Sequence, residues 1–248
     1  VLAGGGAAGV YYGCQTLKQL LRANAHGAAI PGCRIVDWPA LAYRCWQNDI
    51  SRGPIPTLAF LKRQVTTLSE FKLNALTLYT ENVFKNPRHP KIAPADGLTT
   101  EEVRELCAHA RKHHVEVLGN HQAFGHYEKT LRLPEYAHLR ETDHVLTPAK
   151  EETYRFLTET LDVIAPAYES PLFVINCDET FGLGEGPSKD MVRELGLGGV
   201  YASHIQRLHK ILQPHGKTPL MWGDIALHHR DIVPRLPKDL IVLSWGYG

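Results

Sequence analysis

Short apolar runs alternate along the chain with longer stretches whose apolar residues recur at helical spacing. The runs are Tyr43–Asn48, Ala75–Tyr79, Val115–Leu118, Leu172–Cys177, Leu220–Met221 and Leu240–Leu243. Continuous rather than alternating runs are what parallel strands need when helices cover the sheet. Between them, Leu58, Leu61, Val65, Leu68 and Phe71 follow Pro54 and Pro56 at helical spacing. Thr99 with Glu102 forms a capping-box pattern ahead of Val103, Leu106 and Ala110. Thr147-Pro148 opens a third stripe of Tyr154, Leu157, Leu161 and Ile164. A fourth, Tyr201, Ile205, Leu208 and Leu212, ends near Gly216.

Strand and helix taking turns at this spacing predicts right-handed βαβ units and a parallel sheet, either doubly wound or closed into a barrel. No GxGxxG follows a strand, and Leu2–Gly6 has no convincing strand before it, so a dinucleotide-binding fold is disfavoured. The strand ends favour the barrel. Just past successive runs stand Asp49 and Arg52, Glu81, His121 and Gln122, Asp178 and Glu179, Trp222 and Asp224, then Trp245 and Tyr247. A barrel gathers all its strand C-termini around one mouth, where such residues converge on a ligand. The expected fold is therefore a TIM-type α/β barrel over residues 38–248. Residues 1–37 are expected to be the end of a preceding α/β region or a linker.

Composition narrows the partners. With 27 Lys+Arg against 26 Asp+Glu the formal charge is +1, and the basic residues are scattered. That gives no electrostatic basis for nucleic acid. No apolar run approaches the ~18 residues a membrane span needs. The five cysteines are odd in number and without a CxxC pair, so they read as buried small apolar residues, leaning toward a reducing compartment. Val1–Gly6 carries neither an initiator Met nor a charged leader and reads as trimmed, which leaves cytoplasm and periplasm both open. The oligomeric state is not legible.

The sharpest chemical feature is the apolar run Leu172–Cys177 leading straight into Asp178 and Glu179. Glycosidic cleavage needs a proton donor at the leaving oxygen and negative character near the anomeric carbon. Two neighbouring acids held at different pKa values supply both. On these residues alone, a helix N-cap with a companion acid is the alternative. Among fourteen histidines, the pairs His113-His114 and His228-His229 read as solvated surface residues. His121 and His126 with Asp178 offer the alternative of a metal-dependent barrel hydrolase, but nothing at proper ligand spacing pairs them. No metal and no cofactor are expected.

At this point the chain resembles the family 20 glycoside hydrolases, the β-N-acetylhexosaminidases. Tyr11–Leu21 and Ile30–Pro39 are similar to the family's lead-in, and Tyr43-Arg44 with Asp49–Arg52 to its first barrel strand. Lys72-Leu73-Asn74 matches the approach to the second strand. Phe124-Gly125-His126 stands where the family has PGH, Cys177-Asp178-Glu179 for GGDE, Met221–Asp224 for the fifth-strand WDE, and Ser244-Trp245 for the Trp ending the sixth. These matches fall in order across nearly the whole chain. The resemblance implies a retaining exo-glycosidase that removes terminal β-linked GlcNAc or GalNAc from a glycan, with the substrate's 2-acetamido oxygen as nucleophile. By that analogy Asp178 orients the acetamido group, Glu179 is acid then base, Arg52 holds outer hydroxyls, and Trp222 and Trp245 wall the sugar, with Asp224 and Tyr247 beside it.

The departures carry expectations of their own. The second strand ends Tyr79-Thr80-Glu81 where the family has His and Asp, so Glu81 is expected to act through His126 on Glu179. The third strand reads His121-Gln122 instead of PE, which alters its sugar contacts. Asn176-Cys177 replaces a double glycine. Only six strands are legible of the family's eight, so the Tyr, Trp and acid that the last two strands bring are absent and a longer parent is expected. Gly182–Ser188 reads as a flexible loop over the mouth. A sugar-binding relative without turnover is the second functional class.

Overall fold

A computed structural model describes residues 1–24, 27 and 29–247. Six parallel strands make one sheet: β1 (Cys45–Asp49), β2 (Ala75–Tyr79), β3 (Glu116–Asn120), β4 (Leu172–Asn176), β5 (Thr218–Trp222) and β6 (Ile241–Leu243). They lie side by side in chain order. A doubly wound sheet reverses strand order at a switch point, whereas a barrel never does. The fold is thus six consecutive β/α units of a TIM-type barrel. The seventh and eighth strands are not among the described residues.

The helices are α1 (Ala7–Ala23), α2 (Leu58–Glu70), α3 (Thr100–Lys112), α4 (Glu128–Leu131), α5 (Glu151–Ile164), α6 (Lys189–Leu212) and α7 (Asp224–His228). Thr57 caps α2 by accepting the Phe60 N–H, and the Thr99–Glu102 capping box starts α3. The third stripe begins later than its Thr-Pro signal suggests. Thr147 is buried in the preceding turn, where its hydroxyl accepts the Ala149 N–H at 3.3 Å, so α5 starts only at Glu151. In α6, Gly196 takes φ 72° and breaks the helix, and the predicted stripe from Tyr201 to Leu212 is buried beyond that break.

Burial follows position in the sheet. All five residues of β2 are buried, and four of five in β3 and β4, because neighbours and helices enclose them. The edge strands differ: Trp46 on β1 is 49% exposed and Val242 on β6 is 48% exposed. Strand β3 also runs two residues past its predicted end. Polar Asn120 continues it because its side chain is bonded on both sides within the barrel, donating to Thr77 Oγ1 (3.1 Å) and accepting from Asn176 Nδ2 (2.8 Å).

Residues Gly182–Ser188 are not a free loop over the mouth. The buried Glu141 carboxylate accepts the N–H groups of Gly184, Gly186 and Ser188 and the Ser188 hydroxyl, at 3.0, 2.9, 3.1 and 2.7 Å. Glycines make that wrapping possible: a Cβ on Gly186 would stand 2.3 Å from the Glu141 carbonyl oxygen. Four donors on one carboxylate pin the segment to the scaffold.

Candidate active site

Past β1 the chain turns on Asp49, whose carboxylate accepts the Ser51 N–H and pairs with Arg52 Nε at 2.6 Å. The Arg52 guanidinium lies over the Tyr79 ring, 5.0 Å from its centroid, which aims the cation at the barrel mouth. Past β3, Gly125 lets His126 reach the acids: a Cβ there would lie 2.5 Å from the Asp178 carbonyl oxygen. His126 then sits at φ 56° with Nε2 3.4 Å from Asp178 Oδ2 and 3.4 Å from Glu179 Oε2.

The acids themselves ride on a contorted strand end. Asn176, Cys177 and Glu179 have φ of 59°, 63° and 47°. Left-handed backbone costs an ordinary residue roughly 1–2 kcal/mol, which is the reason glycine suits the first two positions. Here the strain is held by hydrogen bonds. Tyr201 donates its hydroxyl to the Cys177 carbonyl at 2.8 Å, and Asp224 Oδ2 accepts the Glu179 N–H at 2.9 Å. The same twist sends the adjacent acids to different environments: the Asp178 side chain is 15% exposed and that of Glu179 39%. Asp178 Oδ1 is buried with no hydrogen-bond partner.

Arg52, His126, Asp178, Glu179, Trp222, Trp245 and Tyr247 line one cavity of about 200 Å³. Gly246 completes the lining with two strand residues, Gln47 and Tyr79, which the sequence did not single out. Both belong to strands rather than to the residues beyond them, so the rule of looking past the apolar run misses them. The Tyr79 hydroxyl is buried without a hydrogen-bond partner. Burial first, then the nearby Asp178 charge, push its phenol well above the usual range. The bond to Asp178 raises the His126 pKa, with the charges of Asp178, Glu128 and Glu179 adding to it against the opposing effect of burial.

Three predicted residues stand elsewhere. Glu81 does not link His126 to Glu179. Its Oε1 instead accepts the Lys129 and Thr130 N–H groups at 2.8 and 2.9 Å, closing the first turn of α4. The acid on the far side of His126 is Glu128, with Oε1 3.7 Å from Nδ1. Burial raises Glu81 to about 7 despite those N–H donors. His121 is buried, and burial lowers its imidazole to about 3. Glu81 and His121 share a separate space of about 10 Å³ beside Tyr127. Asp224 lies behind the acids as the support of Glu179 and does not line the cavity. Among the described residues no group of three or more His, Cys, Asp or Glu is placed to hold a metal ion.

Paired acids, a guanidinium and aromatic side chains thus line one cavity at the C-terminal mouth of a β/α barrel. The sequence matches "Glycosyl hydrolase family 20, catalytic domain" over residues 41–247 and "Glycosyl hydrolase family 20, domain 2" over residues 1–38. The chain belongs to glycosyl hydrolase family 20. It is 27% identical over 213 residues to hexosaminidase D of Bos taurus, covering 79% of this chain and 61% of that protein. It is 26% identical over 291 residues to a beta-hexosaminidase of Porphyromonas gingivalis, covering 98% of this chain and 36% of that one. In fold it is similar to an exo beta-N-acetylglucosaminidase from Vibrio harveyi in complex with N-acetylglucosamine, with TM-score 0.78, 21% identity, and coverage of 96% and 44%. The chain thus spans about 61% and 36% of the two relatives' lengths.

Proposed function

We propose that the protein is a retaining exo-glycosidase that removes terminal β-linked N-acetylhexosamine from a glycan by substrate-assisted catalysis. The observation that carries this reading is the unequal pair at the mouth: a sheltered Asp178 with one unpaired carboxylate oxygen beside a more exposed Glu179, both within 3.4 Å of His126. In the first step the acetamido oxygen attacks the anomeric carbon as the glycosidic C–O bond breaks. Glu179 gives its proton to the leaving oxygen. Asp178 Oδ1 accepts the acetamido N–H and balances the positive charge growing on the oxazolinium ring. In the second step Glu179 takes a proton from water, which bonds to the anomeric carbon and opens the ring, so the β configuration is restored. His126, favoured in its charged form by its bond to Asp178, sets a positive charge between the two acids.

Arg52 provides a rigid donor fork for the outer hydroxyls, and Trp222 and Trp245 offer indole faces to the apolar side of the sugar. Tyr79 adds a phenol whose hydroxyl a bound sugar would satisfy. In this reading residues 38–248 form the barrel and residues 1–37 end a preceding region. The test is release of nitrophenol from the β-N-acetylglucosaminide and the β-N-acetylgalactosaminide, comparing the protein with Glu179→Gln. A fall of at least ~100-fold in kcat for the variant supports the reading, and the ratio of the two substrates names the preferred sugar. Binding of N-acetylglucosamine with no turnover in the unaltered protein would move the assignment to a sugar-binding relative.

A further inference from the structure

A chain of buried amides runs beneath the cavity across four strands. Trp222 Nε1 on β5 donates to Asn176 Oδ1 on β4 at 3.1 Å. Asn176 Nδ2 donates to Asn120 Oδ1 on β3 at 2.8 Å, and Asn120 Nδ2 donates to Thr77 Oγ1 on β2 at 3.1 Å. Both asparagines are fully buried. The direction of the chain follows from its first member. An indole nitrogen only donates, so Asn176 must present its oxygen to Trp222 and its NH₂ to Asn120. Asn120 must then turn the same way. No amide in this chain is free to flip.

We propose that Asn176 is a positioning residue that locks the Trp222 indole as one wall of the cavity, replacing with a side-chain contact what a glycine at this place leaves open. Two independent features meet at this one residue. Its φ of 59° requires a residue tolerant of left-handed backbone, and Asn is the non-glycine type that accepts it best. Its amide also closes the single hydrogen bond available to the Trp222 nitrogen. Glycine would meet the first requirement and leave the indole unanchored. Asn176 lies at the irregular pairing between β4 and β5, opposite Met221, so its side chain is carried across to the neighbouring Trp222. The sugar-wall role of Trp222 rests on the function proposed above, whereas the anchoring itself does not.

The test uses Asn176→Gly, Trp222→Phe and the double variant. Glycine keeps the backbone conformation at 176, so folding is expected to persist. Two-dimensional NMR of protein labelled with ¹⁵N-tryptophan identifies the Trp222 Nε1–H resonance by its loss in Trp222→Phe. In Asn176→Gly that resonance is expected to move upfield and exchange faster with water. Thr77→Val, which cuts the far end of the chain, is expected to move it less. For nitrophenyl β-N-acetylglucosaminide, Asn176→Gly should raise KM about three- to tenfold, the worth of one such hydrogen bond, and leave kcat unchanged. In the Trp222→Phe background the same substitution should change KM less than about twofold. An unmoved resonance, or an equal rise in KM in both backgrounds, overturns the proposal. Absence of turnover in the unaltered protein would sink the glycosidase reading, and the resonance would still decide whether Asn176 anchors the indole.

Discussion

Gly125 is where the geometry makes its most demanding prediction. Adding one methyl group there puts a carbon 2.5 Å from the Asp178 carbonyl oxygen. Carbon and oxygen need about 3.3 Å, so the loop carrying His126 and the strand end carrying the acids must part by roughly 1 Å. Neither partner is a flexible side-chain tip; both are backbone, and both bear residues of the site. Overpacking of this kind costs about 1–3 kcal/mol of stability. The displacement also stretches the 3.4 Å spacing of His126 from Asp178 and Glu179. A misplacement of ~1 Å in a catalytic constellation is worth about 100-fold in rate. Gly125→Ala should therefore lose about 100-fold in kcat/KM toward nitrophenyl β-N-acetylglucosaminide, with a lowered but cooperative urea transition. Gly32→Ala, where a Cβ meets nothing within 4 Å, is the control and should match the parent in both assays. A folded Gly125→Ala protein with kcat/KM within threefold of the parent would refute the claim that this close approach sets the site.

Glu81 has its pKa raised to about 7 in the folded chain, so its contribution to stability is full below the unfolded carboxyl pKa and is lost as pH rises through about 7. Glu81→Gln keeps an oxygen for the Lys129 and Thr130 N–H groups, and should flatten the fall in Tm between pH 5 and 7.5, an effect of at most about 3 kcal/mol; identical slopes would show that Glu81 does not titrate there. Tyr79→Phe removes a hydroxyl that has no partner, so stability should hold or rise by up to about 1 kcal/mol while kcat/KM falls about tenfold. Equal losses in stability and activity would mean the phenol is structural. Asp224→Ala strips the acceptor from the Glu179 N–H and should lower kcat about tenfold with KM little changed, and Asp224→Asn should recover part of it, as read from Michaelis curves.

The lower tier of organisation was legible because it is written in local physics. Buried strands show as apolar runs whatever surrounds them, and β2 matched its predicted limits residue for residue. The Thr99–Glu102 box needs only four consecutive residues to work, and it caps α3 as expected. Likewise the march of polar and aromatic residues past each strand end pointed to one mouth, and six of them meet in one cavity. The pattern failed where a second partner outcompeted the local signal. Thr147 carries a helix-start signature, yet a buried turn claims its side chain. Glu81 stands at a strand end, but the open N–H groups of α4 lie closer to it than the cavity does, and α4 is too short to show in the pattern.

The residues alone determined the parallel α/β plan, the barrel winding and the candidate acids Asp178 and Glu179, since periodicity and residue chemistry are properties of a few neighbours. Only the tertiary structure decided which strand-end side chains line the cavity. Beyond a strand the alternation of faces ends, and φ values such as those at Asn176, Cys177 and Glu179 are set by partners 20 or more residues away, among them Tyr201 and Asp224. That is why Tyr79 entered the cavity, and why Glu81 and His121 left it: each outcome rests on close approaches between segments far apart in the chain.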